Sequence, residues 1–123
     1  MHIAGFVIPV PEENLEAYRG WAAASARLLR DLGCLEIVEA WEDYVPDGEL
    51  TDFRRAVDAR VEEKIVFTWQ VWPSRAVLEA AEKKMQEDSR FDIPADAPFD
   101  RSRLILGTFT PLHVMGRGET AGG

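Results

Sequence analysis

Two carboxylates flank a tryptophan along one predicted strand: Glu39, Trp41 and Asp43 alternate onto one face of Leu35–Tyr44. A carboxylate held beside a large aromatic in a partly dry groove has a raised pKa and can serve as an acid or a base. The competing reading is a solvated pair at a sheet edge, where charge blocks the addition of another strand. Phe67 and Trp69 lie on the next predicted strand and are expected either to wall the same cavity or to serve as core or dimer interface. Arg75 follows Ser74, the predicted N-cap of a helix whose free N–H groups also attract anions. Trp41, Asp43, Phe67, Trp69 and Arg75 are therefore the candidate ligand-pocket residues. Arg54 and Arg55 are further anion candidates, or partners for the neighbouring Asp47, Glu49, Asp52 and Asp58.

Other chemistries find little footing. The sequence has no GxGxxG, phosphate-binding loop, GxSxG, HExxH or paired-cysteine motif, so no cofactor is expected. Cys34 is the single cysteine, which excludes an intrachain disulfide and a cysteine-based metal site, and it reads as a small buried residue. Acidic residues outnumber basic ones 22 to 14, giving a formal net charge of -8. Nucleic-acid binding draws on a positive face, so neither RNA nor DNA is an expected partner. No apolar run approaches the roughly 20 residues needed to span a bilayer. Met1–Phe6 carries no basic leader and is soon followed by Glu12 and Glu13, so a cytoplasmic protein is expected.

The elements that must position these residues follow from periodicity. The 123 residues suit one domain. His2–Ile8 reads as a strand ending at Pro9. Pro11 then opens a helix whose stripe of Leu15, Tyr18, Ala22, Ser25 and Leu29 stops at Gly33. Leu35–Tyr44 and Lys64–Trp72 read as the second and third strands, the third apolar on both faces. Ser74 begins a second helix with Val77, Leu78, Ala81 and Met85 inward, and a last strand runs roughly from Arg103 to Val114. Gly107 inside it signals a bulge or a close approach. Residues 1–114 thus form one domain with a long hairpin arm over 45–61, and 115–123 is read as a flexible tail. The arm far exceeds the usual hairpin connection of about 2–5 residues, and Phe53, Arg54, Arg55 and Val57 on it are expected either as dimer contacts or as part of a lid over a ligand.

The order βαββαβ implies an α+β fold of the ferredoxin-like kind, a four-stranded antiparallel sheet with both helices on one face. The other face is then apolar without a cover, and a second copy of the chain is the simplest partner. The first and fourth strands become neighbours, which brings the ends holding His2 and His113 together. They are either a two-histidine metal site completed by a carboxylate or an exposed cross-strand pair; no metal is expected.

Gly5–Pro11 with Leu15–Tyr18, Val66–Trp69, Ser74–Ala76, and Pro98–Asp100 with Arg103 resemble a small bacterial family catalogued as a domain of unknown function. The resemblance covers Ile3–Phe109 and implies membership of the dimeric α/β-barrel group, whose subunits pack sheet to sheet. It implies no particular activity. The expectation is a homodimer that binds or transforms a small molecule between sheet and helices. The alternative is a non-enzymatic dimerisation or interaction module.

Overall fold

The computed structural model describes residues 1–116. Residues 117–123, most of the expected tail, lie outside the described residues. The chain folds as β1 (His2–Pro11), a 3-10 turn (Glu12–Asn14), α1 (Leu15–Asp31), β2 (Glu36–Trp41), α2 (Phe53–Ala56), β3 (Glu63–Trp72), α3 (Arg75–Glu87), a 3-10 turn (Ser89–Phe91) and β4 (Ile105–Phe109). The four strands make one antiparallel sheet in the order β2-β3-β1-β4, the ferredoxin-like arrangement.

Strand parity divides the sheet into two faces. Residues of even number on β1 and β3 meet the helices. Ile8, Val10 and Val66 pack with Tyr18, Ala22 and Phe99 in one cluster, and Trp72 packs with Leu29, Cys34, Leu78 and Ala81 in the other. On β2 the odd residues Ile37, Glu39 and Trp41 share that face, because they stand opposite Gln70, Thr68 and Val66. The opposite face carries Ile3, Gly5 and Val7 of β1, Phe67 and Trp69 of β3, and Ile105, Gly107 and Phe109 of β4.

The helix signals act as expected. Gly33 adopts φ +108° after α1, a conformation that side chains of L residues rarely take. Ser74 Oγ accepts from the Val77 N–H at 3.2 Å and caps α3.

Four boundaries differ from the sequence-based expectation, the first being β2, which spans Glu36–Trp41 and not Leu35–Tyr44. β1 continues through Pro9 to Pro11, because beyond Val7 it is paired only on its β3 side and proline is tolerated there. The helix after Pro11 is preceded by a 3-10 turn and begins at Leu15. β4 is shorter than Arg103–Val114. At its start, Arg103 is held in a turn by the Asp100 carboxylate; past its end, Pro111 has no N–H for a ladder. Gly107 marks a close approach and not a bulge, since the β1–β4 register is unbroken and a methyl group there would lie 3.0 Å from the Phe109 ring.

The long connection between β2 and β3 folds back on its own sheet. Asp52 caps α2 by accepting from the Arg55 N–H at 2.8 Å, and also accepts from the Gly48 N–H at 3.1 Å. Val57 is buried to 2% exposure, and the Phe53 ring lies edge-on to Phe67 at 5.8 Å. Arg54 donates to the Glu42 carboxylate at 2.8 Å and to the carbonyls of Glu63 and Arg60. Arg55 donates to the Gly48 carbonyl at 3.0 Å. The arm thus covers the Pro9 and Ile65 end of the face that has no helices.

A buried ion pair ties the arm's end to the turn before β4. Arg103 grips both oxygens of Glu63, with Nη1–Oε1 2.7 Å and Nη2–Oε2 2.5 Å, and its Nε donates to Asp100 at 2.9 Å. Glu63 also accepts from the Arg60 N–H at 2.6 Å. These bonds, the Arg103 guanidinium foremost, hold the Glu63 carboxyl below its ordinary pKa.

Candidate functional site

A groove of about 340 Å³ runs between α1 and the β2 edge of the sheet. On the helix side Ala22, Ala23 and Ala26 are too small to close it. On the sheet side Ile37, Trp41 and Val66 give it apolar walls, with Leu15 and Arg19 at the helix N-terminal end. A smaller hollow of about 70 Å³ shares Tyr18, Ala22, Ala26, Ile37 and Glu39 with the groove and reaches Thr68 and Gln70 on β3.

Polar groups converge between the two cavities. The Tyr18 hydroxyl donates to Glu39 Oε1 at 2.7 Å. The Tyr18 ring is fixed by Trp21 and Phe99, at centroid distances of 5.7 Å and 5.9 Å. Solvent reaches Glu39 through the mouth of the groove, yet the protein on its other sides pushes its pKa up, against the hydrogen bonding of Tyr18 and Thr68. Burial first, then the charge of Glu39, drives the Tyr18 phenol well above its ordinary pKa. Tyr18 is therefore a fixed neutral donor, and Glu39 is an acceptor and candidate base. Thr68 stands opposite Glu39 in the ladder. It is 3% exposed, and its buried Oγ1 accepts from no donor among the described residues.

The structure divides the residues singled out from the sequence. Trp41 lines the groove. Asp43 lies exposed just beyond β2. Phe67 and Trp69 are on the opposite side of the sheet, so they cannot wall the cavity that holds Trp41; β2 residues opposite them in register are Ala40 and Val38. There they line a shallow, almost wholly apolar basin with Ile3, Val7, Ile105 and Phe109. The Trp69 indole N–H reaches Glu36 at 3.4 Å. Arg75 is exposed at the first residue of α3, away from both cavities. Of the arm residues, Val57 is buried and Arg54 engaged within the chain, while Phe53 stays 45% exposed on the helix-free face. His2 is buried opposite Trp72, and His113 is exposed four residues past the last paired residue of β4. Among the described residues, no group of three His, Cys, Asp or Glu side chains could hold a metal ion. Nor is any helix among them long and apolar enough to cross a membrane.

Tyr18 of the groove and Thr68 of the smaller hollow are the residues that sequence reasoning missed as functional. Tyr18 reads as core at helical spacing. The available signal is that a buried tyrosine hydroxyl requires a partner, and Glu39 is a carboxylate on the neighbouring strand.

Residues 1–101 match a family described as "Protein of unknown function (DUF1428)". The chain belongs to this family. It is 45% identical over 112 residues to the "Uncharacterized protein YbaA" of Escherichia coli (strain K12), covering 90% of this chain and 96% of the relative. A protein of the same description from Shigella flexneri matches over the same lengths at the same identity. Every groove residue falls inside the part of the chain that the family covers, whereas Arg103 and the β4 aromatic Phe109 fall beyond it.

Proposed function

We propose that the protein is a homodimer that binds a small molecule in the groove between α1 and the sheet, one groove per subunit. The observation that carries this is the pairing of an open apolar groove with a Tyr18–Glu39 hydrogen bond on its floor. Ligand sites are mostly apolar clefts of about 300–1,000 Å³ with a few convergent polar groups, and this groove sits at the small end of that range. The dimer half of the reading rests on the helix-free face. Phe53, Phe67, Ile105 and Phe109 are each 44% exposed or more there, a continuous apolar surface suited to its own copy across a twofold axis.

The test is a thermal-shift screen of aromatic amines, alcohols and acyl compounds. A ligand held at a hundred times its dissociation constant stabilises the native state by about 2.7 kcal/mol, which is several degrees for a domain of this size. The shift should shrink on Trp41→Ala, which removes one wall of the groove. No shift with any compound, or shifts indifferent to Trp41, would remove the ligand half of the proposal.

A second reading, a dimerisation or interaction module without a ligand, draws on the same helix-free face. It predicts a stable dimer in which substitutions at Glu39 and Trp41 affect folding alone.

A further inference from the structure

We infer that the groove selects a small organic cation, an amine on a compact apolar body, whose ammonium is held between the Glu39 carboxylate and the Thr68 hydroxyl; this rests on the ligand reading above. Three independent features lead to it. Glu39 has no cationic partner: its hydrogen bond comes from the neutral Tyr18, and Arg19, at the groove's rim, pairs with Glu16 at 3.3 Å. Thr68 lines the hollow beside Glu39, and its buried Oγ1 accepts from no donor among the described residues; the bond it shares is toward the Glu39 carboxylate. The protein as a whole carries a formal charge of -8, a field that gathers cations and repels anions.

The chemistry around Glu39 disfavours the other charge classes; the cation that lines the groove, Arg19, is a solvent-exposed rim residue. An anion would meet the Glu39 carboxylate with no cation facing it from β3, where the lining groups are Thr68 and Gln70. A neutral alcohol could satisfy Thr68 but would leave the charge on Glu39 uncompensated. An ammonium does both: it donates to the carboxylate and to the threonine oxygen, while its apolar body lies along Ile37, Trp41 and Val66.

The experiment compares three probes of one skeleton, phenethylamine, 2-phenylethanol and phenylacetate, by calorimetry on the full chain. The amine should bind, and the alcohol and the acid should bind at least tenfold more weakly. Glu39→Gln should weaken the amine by about ten- to hundredfold, the usual worth of a hydrogen bond to a charged group, and leave the alcohol little changed. Thr68→Val keeps the shape and removes a buried hydroxyl that accepts no bond, so it should leave the fold about as stable while weakening the amine by roughly two- to tenfold. It therefore tests the site even if Glu39→Gln folds poorly. If the alcohol or the acid binds as tightly as the amine, and Trp41→Ala weakens it, the cation inference is overturned while the groove reading stands. If none of the three binds at millimolar concentration, the cation inference is overturned, and the broader screen decides the fate of the groove.

Discussion

Replacing Arg103 with methionine is expected to lower folding stability by about 3–5 kcal/mol, the usual cost of stranding one member of a buried ion pair. Glu63 is 2% exposed, and its carboxylate is satisfied by Arg103 and by the Arg60 N–H. Methionine fills the volume of the Arg103 stem but donates nothing, so a buried charge is left with one backbone bond. The same change frees the Asp58 carbonyl and one oxygen of Asp100, whose other oxygen stays with Ser102, and so opens the contact between the arm and the turn before β4. Urea denaturation at neutral pH measures the loss. The double variant Arg103→Met with Glu63→Leu should recover most of it, because removing both charges also removes the desolvation cost.

The pH dependence of that loss has a definite sign. The folded pKa of Glu63 is depressed below its ordinary 4.5, chiefly by its hydrogen bonds to Arg103. The native state thus binds fewer protons than the unfolded chain at mildly acidic pH, and stability from this pair is present above the unfolded pKa. It falls away as pH drops through the folded value. Asp100, held low by Ser102 and Arg103, adds to the same trend. Glu39 acts in the opposite sense, since its pKa is raised. The gap between wild type and Arg103→Met should therefore narrow as pH falls, because the stranded Glu63 of the variant takes up a proton at higher pH than that of the wild type. A gap that is constant with pH would mean that Arg103 contributes packing alone.

Phe109→Glu is expected to convert the proposed dimer to monomer. Phe109 is 59% exposed and lies over Gly5 and Gly107, in the middle of the β1–β4 ladder on the helix-free face. In a twofold assembly the substitution places one carboxylate from each subunit in an apolar interface. At several kcal/mol per unpaired charge, the dimer dissociation constant should rise by at least about a thousandfold. Within the subunit the new side chain remains at the surface, so secondary structure and monomer stability should change little. Sedimentation velocity of both proteins checks this. A wild-type monomer, or a dimer indifferent to the substitution, would assign the apolar face to something other than a second copy.

The fold was legible in the chain because its signals are local and mutually consistent. Gly33 and Ser74 punctuate the helices, and the two-sided β3 announces a central strand. The site was less legible, because it depends on which residues share a face across strands. Trp41 and Phe67 are both prominent aromatics on neighbouring strands, yet the register sets Trp41 beside Val66 and turns Phe67 to the other side. One residue of register decides this, and no feature of either strand alone records it. Tyr18 and Thr68 were hidden for a different reason. Each occupies a position that packing alone explains, and each becomes a candidate functional residue once its hydroxyl is traced to Glu39. The Arg103–Glu63 pair spans the arm and the last turn, a long-range contact that sequence spacing does not encode.

The claim that the groove is a cation-selective ligand site is tested most directly by an NMR titration of the full chain with phenethylamine. Saturable amide shifts are expected at Tyr18, Ile37, Glu39 and Thr68, absent with phenylacetate and lost on Glu39→Gln. Shifts centred on Phe67, Trp69 and Phe109, or none at any concentration of the amine, would contradict it.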